Sequence, residues 1–337
     1  MKITDLFERV LENAGKTYVI AEIGINHEGS VERCAEMIRA SAAAGADAIK
    51  LQTVDAARSY APDTESFKIF NKAALTKDET ANMFQLACDC GVEAFTTSGD
   101  LQTLKWIDRL NPAAHKISSG LLSCTPIVRE ACKLGKPLLM STGMSGTATI
   151  DQSVEIARQS GCETALFQCT SLYPCPPEKL DLSAINGLTK RYRLPTGFSD
   201  HSLGVTMAPL AVAAGARLIE KHITFDKNRS GFDHSISLEA GEFAEMVTLV
   251  RQAETAMGQA RKTVDDVIVE QAQLFERRFA AAHDLPAGHV LTIDDLLFMR
   301  FSKNVDAISS CEADAVVNRQ INKSISAGQS IKWQNLS

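Results

Sequence analysis

The chain has 337 residues, of which 45% are hydrophobic and 23% charged, enough for one barrel-sized domain and a smaller one. A net charge of -6 gives no basic footprint, which argues against nucleic acid or an anionic membrane surface as the main partner; an anionic substrate has to be held by locally placed cations. No apolar stretch is long enough to span a bilayer, and the opening "MKITDLFERVLENAGK" mixes charge into its apolar positions, so neither a signal peptide nor a membrane anchor is indicated and a cytosolic protein is expected.

Along the first 260 residues, short runs rich in β-branched and apolar residues alternate with longer segments of helical period. The runs are "YVIAEIGI", "AIKLQT", "EAFTTS", "AHKISS", "PLLMSTG", "TALFQCTS", "LPTGFSD" and "RLIEKHIT". Between the first two, Val31, Ala35, Ile38 and Ala42 share one helical face, and Ser30 stands where a cap is needed. Gly45, Gly91, Gly135, Gly161 and Gly215 each close a helix ahead of the next strand, where a left-handed residue is favoured. Eight strand-then-helix units predict a (β/α)8 TIM barrel. An open doubly wound sheet is the main competitor, and no GxGxxG opens the first helix to support a dinucleotide site. The nine cysteines, odd in number and without zinc-finger spacing, read as reduced core residues.

Chemistry in such barrels sits at the C-terminal strand ends. Those ends carry Glu22; Lys50 and Gln52; Thr96 and Thr97; Lys116, Ser118 and Ser119; Ser141 and Thr142; Thr170 and Ser171; Ser199, Asp200 and His201; and His222. Two lysines and several hydroxyls from different strands suit a small polyanion such as a phosphate ester bearing a carboxylate. His201 and His222, on neighbouring strands, are close enough to hold one ion, and two imidazoles with open positions describe a catalytic Mn2+- or Mg2+-like site better than closed structural zinc. His115, His283 and His289 read as satisfied polar residues.

"AEIGINHEGS" (21–30), "GADAIKLQT" (45–53), "HKISSG" (115–120), "LMSTGM" (139–144), "CTSLYP" (169–174), "GFSDHS" (197–202) and "EKHITFDK" (220–227) occur in order on successive strands, and together they resemble the sialic acid synthases. The resemblance implies a metal-assisted condensation of phosphoenolpyruvate with an open-chain N-acetylated amino sugar, giving a nonulosonic acid and phosphate. By motif, His201 and His222 would hold the metal and Glu22 would handle protons. Lys50, Gln52, Thr97, Lys116, Ser119, Ser141 and Ser199 would hold phosphoenolpyruvate, while Tyr173, Asp233 and Arg229 would meet the sugar. The sequence departs from the family pattern at Leu121, where a sugar-contacting glutamate is usual, at Ser171, where an asparagine is usual, and in "TTSGD" (96–100). These departures leave the phosphoenolpyruvate half intact and point to an acceptor lacking a hydroxyl. The runner-up is another phosphoenolpyruvate-dependent 3-deoxy-ulosonic acid synthase; a metal-dependent hydrolase would have no need for both lysines.

The last sixty residues form a separate module. "AHDLPAGHVLTIDDL" (282–296) and "NKSISAGQSIKWQNL" (322–336) share an Ala-Gly turn and a terminal leucine, an internal repeat of short strands and turns. The module resembles the antifreeze-like (SAF) domain that ends these synthases and reaches the partner subunit's active site, which implies a domain-swapped homodimer with Arg300 touching the acceptor. The expected divisions are therefore a barrel over 1–258, a polar connector over 259–276 and the SAF module over 277–337.

Overall fold

In a computed structural model, which describes residues 1–8, 16–258, 262–302 and 305–337, eight parallel strands close into a barrel in the order β1 to β8. They are β1 Tyr18–Gly24, β2 Ala48–Thr53, β3 Glu93–Ser98, β4 His115–Ile117, β5 Leu138–Ser141, β6 Thr164–Cys169, β7 Thr196–Asp200 and β8 Leu218–His222. Each of the eight runs read from the sequence contains one of them, and each strand is succeeded by a helix. Ser30 caps the first of these helices, Val31–Ala43, its hydroxyl accepting from the Arg33 amide, and the five helix-closing glycines all have positive φ. The buried stripe of that helix is Cys34, Met37, Ile38 and Ser41, with Val31, Ala35 and Ala42 only partly covered at its edge, so the face turned to the core is rotated from the one expected.

Alternation along each strand sorts its side chains between two apolar layers. Tyr18, Ile20, Ala48, Phe95, Leu139, Ala165, Phe167 and Leu218 pack inside the barrel, where Ile3 and Leu6 join them. Val19, Ala21, Ile49, Leu51, Phe198 and Ile219 pack outward under the helices, as do Ile117, Leu138, Met140 and Leu166 on the opposite side. The two-residue period also selects the residues that cap this inner layer at the C-terminal end of the barrel. Glu22 comes after Ile20, Lys50 and Gln52 after Ala48, Thr97 after Phe95, Ser141 after Leu139, Cys169 after Phe167, and Glu220 and His222 after Leu218. The inner face thus changes from hydrocarbon to charge and hydroxyl within one strand.

The chain divides into two compact units, Met1–Ala260 and Arg261–Ser337. The core of the second is Phe279, Ala281, Leu285, Leu291, Leu296, Ile308, Val316, Ile321, Ile325, Ile331 and Leu336. The expected repeat is present in three dimensions. Leu285 and Ile325 pair across it, Gly288 and Gly328 both take positive φ, and each copy ends in a short 3-10 turn, Ile293–Asp295 and Trp333–Asn335. A two-stranded antiparallel pair, β9 Arg278–Ala281 and β10 Leu296–Met299, belongs to the same unit. The segment expected to be a polar connector contains the helix Asp266–Phe275, capped by Asp265; residues 259–261 lie outside the described residues. All nine cysteines are free, but only Cys34, Cys132, Cys169 and Cys175 are buried, and Cys88 and Cys311 are exposed, so the expectation of core cysteines holds for part of the set. Among the described residues, no helix is long and apolar enough to cross a membrane.

Candidate active site

The inward-facing strand ends line one cavity of about 640 Å3 at the C-terminal mouth of the barrel. Glu22, Lys50, Gln52, Thr97, Lys116, Ser119, Ser141, Ser171, Tyr173, Ser199, His201, His222 and Asp233 all line it, and so does Leu121. Three buried side-chain polar atoms of this lining, Ser59 Oγ, Ser141 Oγ and His222 Nδ1, have no hydrogen-bond partner among the described residues, and Glu22 Oε2 meets only the Lys50 ammonium. Folded proteins rarely leave such atoms unpaired, and their concentration in one cavity marks a place where a ligand completes the hydrogen bonding.

At the floor, Glu220 ties both lysines. Its carboxylate accepts from Lys116 Nζ at 3.0 Å through both oxygens, pairs with Lys50 Nζ at 2.9 Å, and accepts from Ser199 Oγ at 2.9 Å. Lys50 also reaches Glu22 at 3.1 Å, Gln52 donates to the other Glu22 oxygen at 2.8 Å, and Lys116 lies over the Phe167 ring. Burial alone would raise the Glu220 carboxyl, but Lys116 and Lys50 outweigh it and hold Glu220 well below the usual carboxylate range. Glu22 goes the other way: burial outweighs the opposing effect of Lys50 and lifts it to about 7. Burial also lowers Lys116 to about 8, whereas in Lys50 the neighbouring Glu22 and Glu220 overcome burial and keep the ammonium above its ordinary value. Glu220 is absent from the strand-end reading because it stands two residues inside the histidine that ends the strand. The signal that could have found it is parity: it is two residues before His222 and so faces the same way.

The two histidines stand side by side with ring centroids 5.7 Å apart, and Tyr173 stacks on His201 at 4.2 Å. His201 Nδ1 lies 2.9 Å from the Thr170 carbonyl oxygen, which can only accept, so Nδ1 carries the proton and Nε2 presents a lone pair. Burial holds both imidazoles below their ordinary value, hence neutral near pH 7, as metal ligation requires. His222 Nδ1 is 3.8 Å from Asp233, too far for a hydrogen bond. Burial raises Asp233 itself to about 6, and its amide is fixed by Asn26 Oδ1 at 3.1 Å. Among the described residues no group of three or more His, Cys, Asp or Glu side chains forms a ready-made metal cluster. The donor set therefore fits an open site with two protein nitrogens rather than a closed structural one.

Gly143, in the turn after β5, donates its N–H to Ser119 Oγ at 3.1 Å, and a Cβ there would lie 2.6 Å from Cys169 Sγ and 2.8 Å from Ser171 Oγ. Only hydrogen fits. The outer wall is apolar, made by Tyr60 and Phe70, stacked at 5.3 Å, with Leu121, Met144 and Phe232.

One of the expected sugar contacts, Arg229, is placed elsewhere. Arg229 does not line the cavity; its guanidinium holds Glu28 through paired bonds of 2.6 and 2.7 Å, pinning the loop after β8 to the loop after β1. Arg300 belongs to the second unit, where it is exposed with its guanidinium over the Phe275 ring. Asp200 and Thr96, also read as strand-end candidates, do not line the cavity; Asp200 pairs with Lys221, and Thr96 bonds the β2 backbone at Leu51.

Residues 37–262 match the NeuB family, two thirds of the chain, and residues 276–337 match the SAF domain. The chain belongs to the NeuB family. An uncharacterized protein of Methanocaldococcus jannaschii is 32% identical over 334 residues, covering 98% of this chain and 97% of that protein. The N,N'-diacetyllegionaminic acid synthase of Legionella pneumophila is 28% identical, covering 95% of this chain and 94% of that enzyme. A crystal structure of the N-acetylneuraminic acid (sialic acid) synthetase of Leptospira borgpetersenii, in complex with citrate, superposes with a TM-score of 0.74 at 29% identity, over 77% of this chain and 91% of that one. As a NeuB family member the chain is an enzyme of the sialic acid synthase type, a carbon–carbon bond-forming synthase on a TIM barrel with a SAF module.

Proposed function

We propose that this enzyme joins carbon 3 of phosphoenolpyruvate to the aldehyde of an open-chain N-acetylated amino sugar, giving a nonulosonic acid and phosphate, in the cytosol and with Mn2+ or Mg2+ bound. The observation that carries this reading is the meeting, in one cavity, of a doubly cationic floor with two neutral imidazoles and a carboxyl poised near neutrality. Lys50, Lys116, Gln52, Thr97, Ser119, Ser141 and Ser199 hold the phosphate and carboxylate. Tyr173, Asp233 and Ser171 meet the sugar.

His201 and His222 would hold the metal, which would supply Lewis acidity at the aldehyde carbonyl. As carbon 3 attacks, protonated Glu22 gives its proton to the aldehyde oxygen and positive charge develops at carbon 2 beside the carboxylate that results. Water then adds there and re-protonates Glu22, and the C–O bond to phosphate breaks as the phosphate leaves with the remaining hydroxyl proton, giving the ketone. The apolar wall of Leu121, Phe70, Met144 and Phe232 favours an acceptor lacking a hydroxyl at that end, since a polar group facing leucine forfeits about 1–3 kcal/mol. Arg300 completes the acceptor site from the second subunit of a homodimer.

The test supplies the full-length protein with phosphoenolpyruvate, Mn2+ and a panel of amino sugars in 18O-labelled water. Phosphate is expected only when donor and acceptor are both present, with 18O in the sugar acid and none in the phosphate. Phosphate release without an acceptor, or label in the phosphate, overturns the reading in favour of a hydrolase. Chelator, His201→Ala and His222→Ala are each expected to abolish condensation.

A further inference from the structure

Behind the two histidines lies a charged pair for which the proposed chemistry has no use. Asp200 and Lys221 each adjoin one of the histidines in sequence, and alternation turns them to the opposite face of the barrel wall, where Phe198 and Ile219 pack into the apolar layer beneath the helices. Both side chains are 0% exposed, and their oppositely charged atoms are 3.0 Å apart. Asp200 and Lys221 are also register partners across β7 and β8. Lys221 Nζ donates a second bond to the Ser202 carbonyl oxygen, while Asp200 Oδ1 accepts from the Ser202 amide at 2.8 Å and the Ser202 hydroxyl at 2.6 Å. The turn 200–202, with His201 at its centre, is thus closed on itself by Asp200 and fastened to the strand of His222 by Lys221. On its other side the same turn is held by His201 Nδ1 on the Thr170 carbonyl and by the Cys175 amide on the His201 carbonyl, each at 2.9 Å.

An ammonium and a carboxylate taken wholly out of water are costly, and apolar residues of similar volume in such a place are often as stable or more so. Stability is therefore a poor account of this pair, and geometry a better one: each ion is one peptide from an imidazole, and both bonds of Lys221 cross from one histidine's strand to the other's turn. We propose that Lys221 and Asp200 are positioning residues that set the spacing of His201 and His222 and thereby the affinity of the site for a divalent cation. The inference rests on the reading above that these two histidines hold the metal.

The test titrates Mn2+ into the chelator-stripped full-length protein by calorimetry, with the bound fraction checked by electron paramagnetic resonance and with melting temperatures recorded alongside. Lys221→Met keeps most of the volume and removes the charge. It strands the buried Asp200 carboxylate and is expected to melt below the parent, while its Kd for Mn2+ rises about 10- to 100-fold, the range typical when an outer support of a metal ligand is lost. Asp200→Asn, which keeps an acceptor for Ser202, is expected to weaken binding less. Should that lone carboxylate unfold the protein, the double variant Lys221→Met/Asp200→Leu carries neither charge and reads the same affinity. His222→Ala separates the two ideas. If the parent and His222→Ala take up Mn2+ equally, the metal reading itself fails; if His222→Ala does not bind while Lys221→Met or the double variant binds as the parent does, the positioning proposal alone is overturned.

Discussion

Lys50 and Lys116 are 4% and 3% exposed, and Glu220 touches both ammonium groups. Three buried charges in one contact set partly cancel, so an arriving polyanion exchanges one partner for another rather than meeting bare cations. Glu220→Gln leaves two buried ammonium groups with Glu22 alone to balance them, which is expected to cost about 3–5 kcal/mol in the absence of ligand. Phosphoenolpyruvate supplies the missing negative charge, and its addition is expected to raise the melting temperature of the variant more than that of the parent. Equal ligand shifts in the two proteins would mean that Glu220 is not the counter-ion that matters. Arg229 makes a different residue-scale case. Hydrogen bonds from Arg229, against a smaller burial cost and with help from Arg33, lower the Glu28 carboxyl to about 2. A depressed carboxyl contributes stability that is present above its unfolded value near 4.5 and is lost as pH falls through about 2. Arg229→Ala is therefore expected to destabilise only slightly at pH 7, because Arg229 is 43% exposed and solvent screens the pair, and the gap to the parent should narrow at pH 3.5. The acceptor KM is expected to stay within about twofold; a tenfold rise would return Arg229 to the sugar site.

At the scale of strands and turns, the cavity is set by the two-residue period of the barrel and by close approach between neighbouring strand ends. Gly143 is the tightest of these approaches. In Gly143→Ala the new methyl group would sit 2.6 Å from Cys169 Sγ, and displacing the turn that follows Ser141 is expected to raise the KM for phosphoenolpyruvate about tenfold or more. Gly143→Ala/Cys169→Ala, which removes the obstructing sulfur, is expected to recover part of that loss; no recovery would place the strain in the backbone or at Ser171. The same scale explains what the sequence disclosed. Eight apolar runs ending in polar residues, with glycines between them, specify the barrel because both the strand period and the helix stops are local signals. "LIEKH" shows two charges in adjacent positions, and only the inward parity of His222 decides that Glu220 enters the cavity while Lys221 leaves it. Arg229 sits in a loop, where no period assigns direction, and its engagement with Glu28 depends on a segment two hundred residues earlier. Tyr60 and Phe70 reach the cavity from the excursion between β2 and β3, whose place over the barrel mouth arises from tertiary packing alone.

For the whole molecule, the two units keep separate apolar cores, with every member of the smaller one between Phe279 and Leu336. A module that folds around its own core is free to serve either its own barrel or that of another subunit, and the proposed homodimer assigns Arg300 to the second. Mixing two inactive variants distinguishes the cases. Glu22→Gln removes the proton-handling carboxyl from one barrel, and Arg300→Ala removes the guanidinium from one SAF module. In a mixed dimer working in trans, the barrel that retains Glu22 receives the intact Arg300 of its partner, so one of the two sites is complete and activity returns. Within each chain acting alone, every barrel lacks one group or the other. With random exchange half the dimers are mixed, and each has one working site in two, so the recovered rate is expected to approach about a quarter of the parent's at equal total protein, by the symmetry of a twofold assembly. Native mass spectrometry must show the mixed species. If mixed dimers form and the rate stays at that of the parental variants, Arg300 acts within its own chain or outside the site. If Arg300→Ala is fully active by itself, the arginine has no part in the reaction, and the outer wall of the cavity alone must select the acceptor.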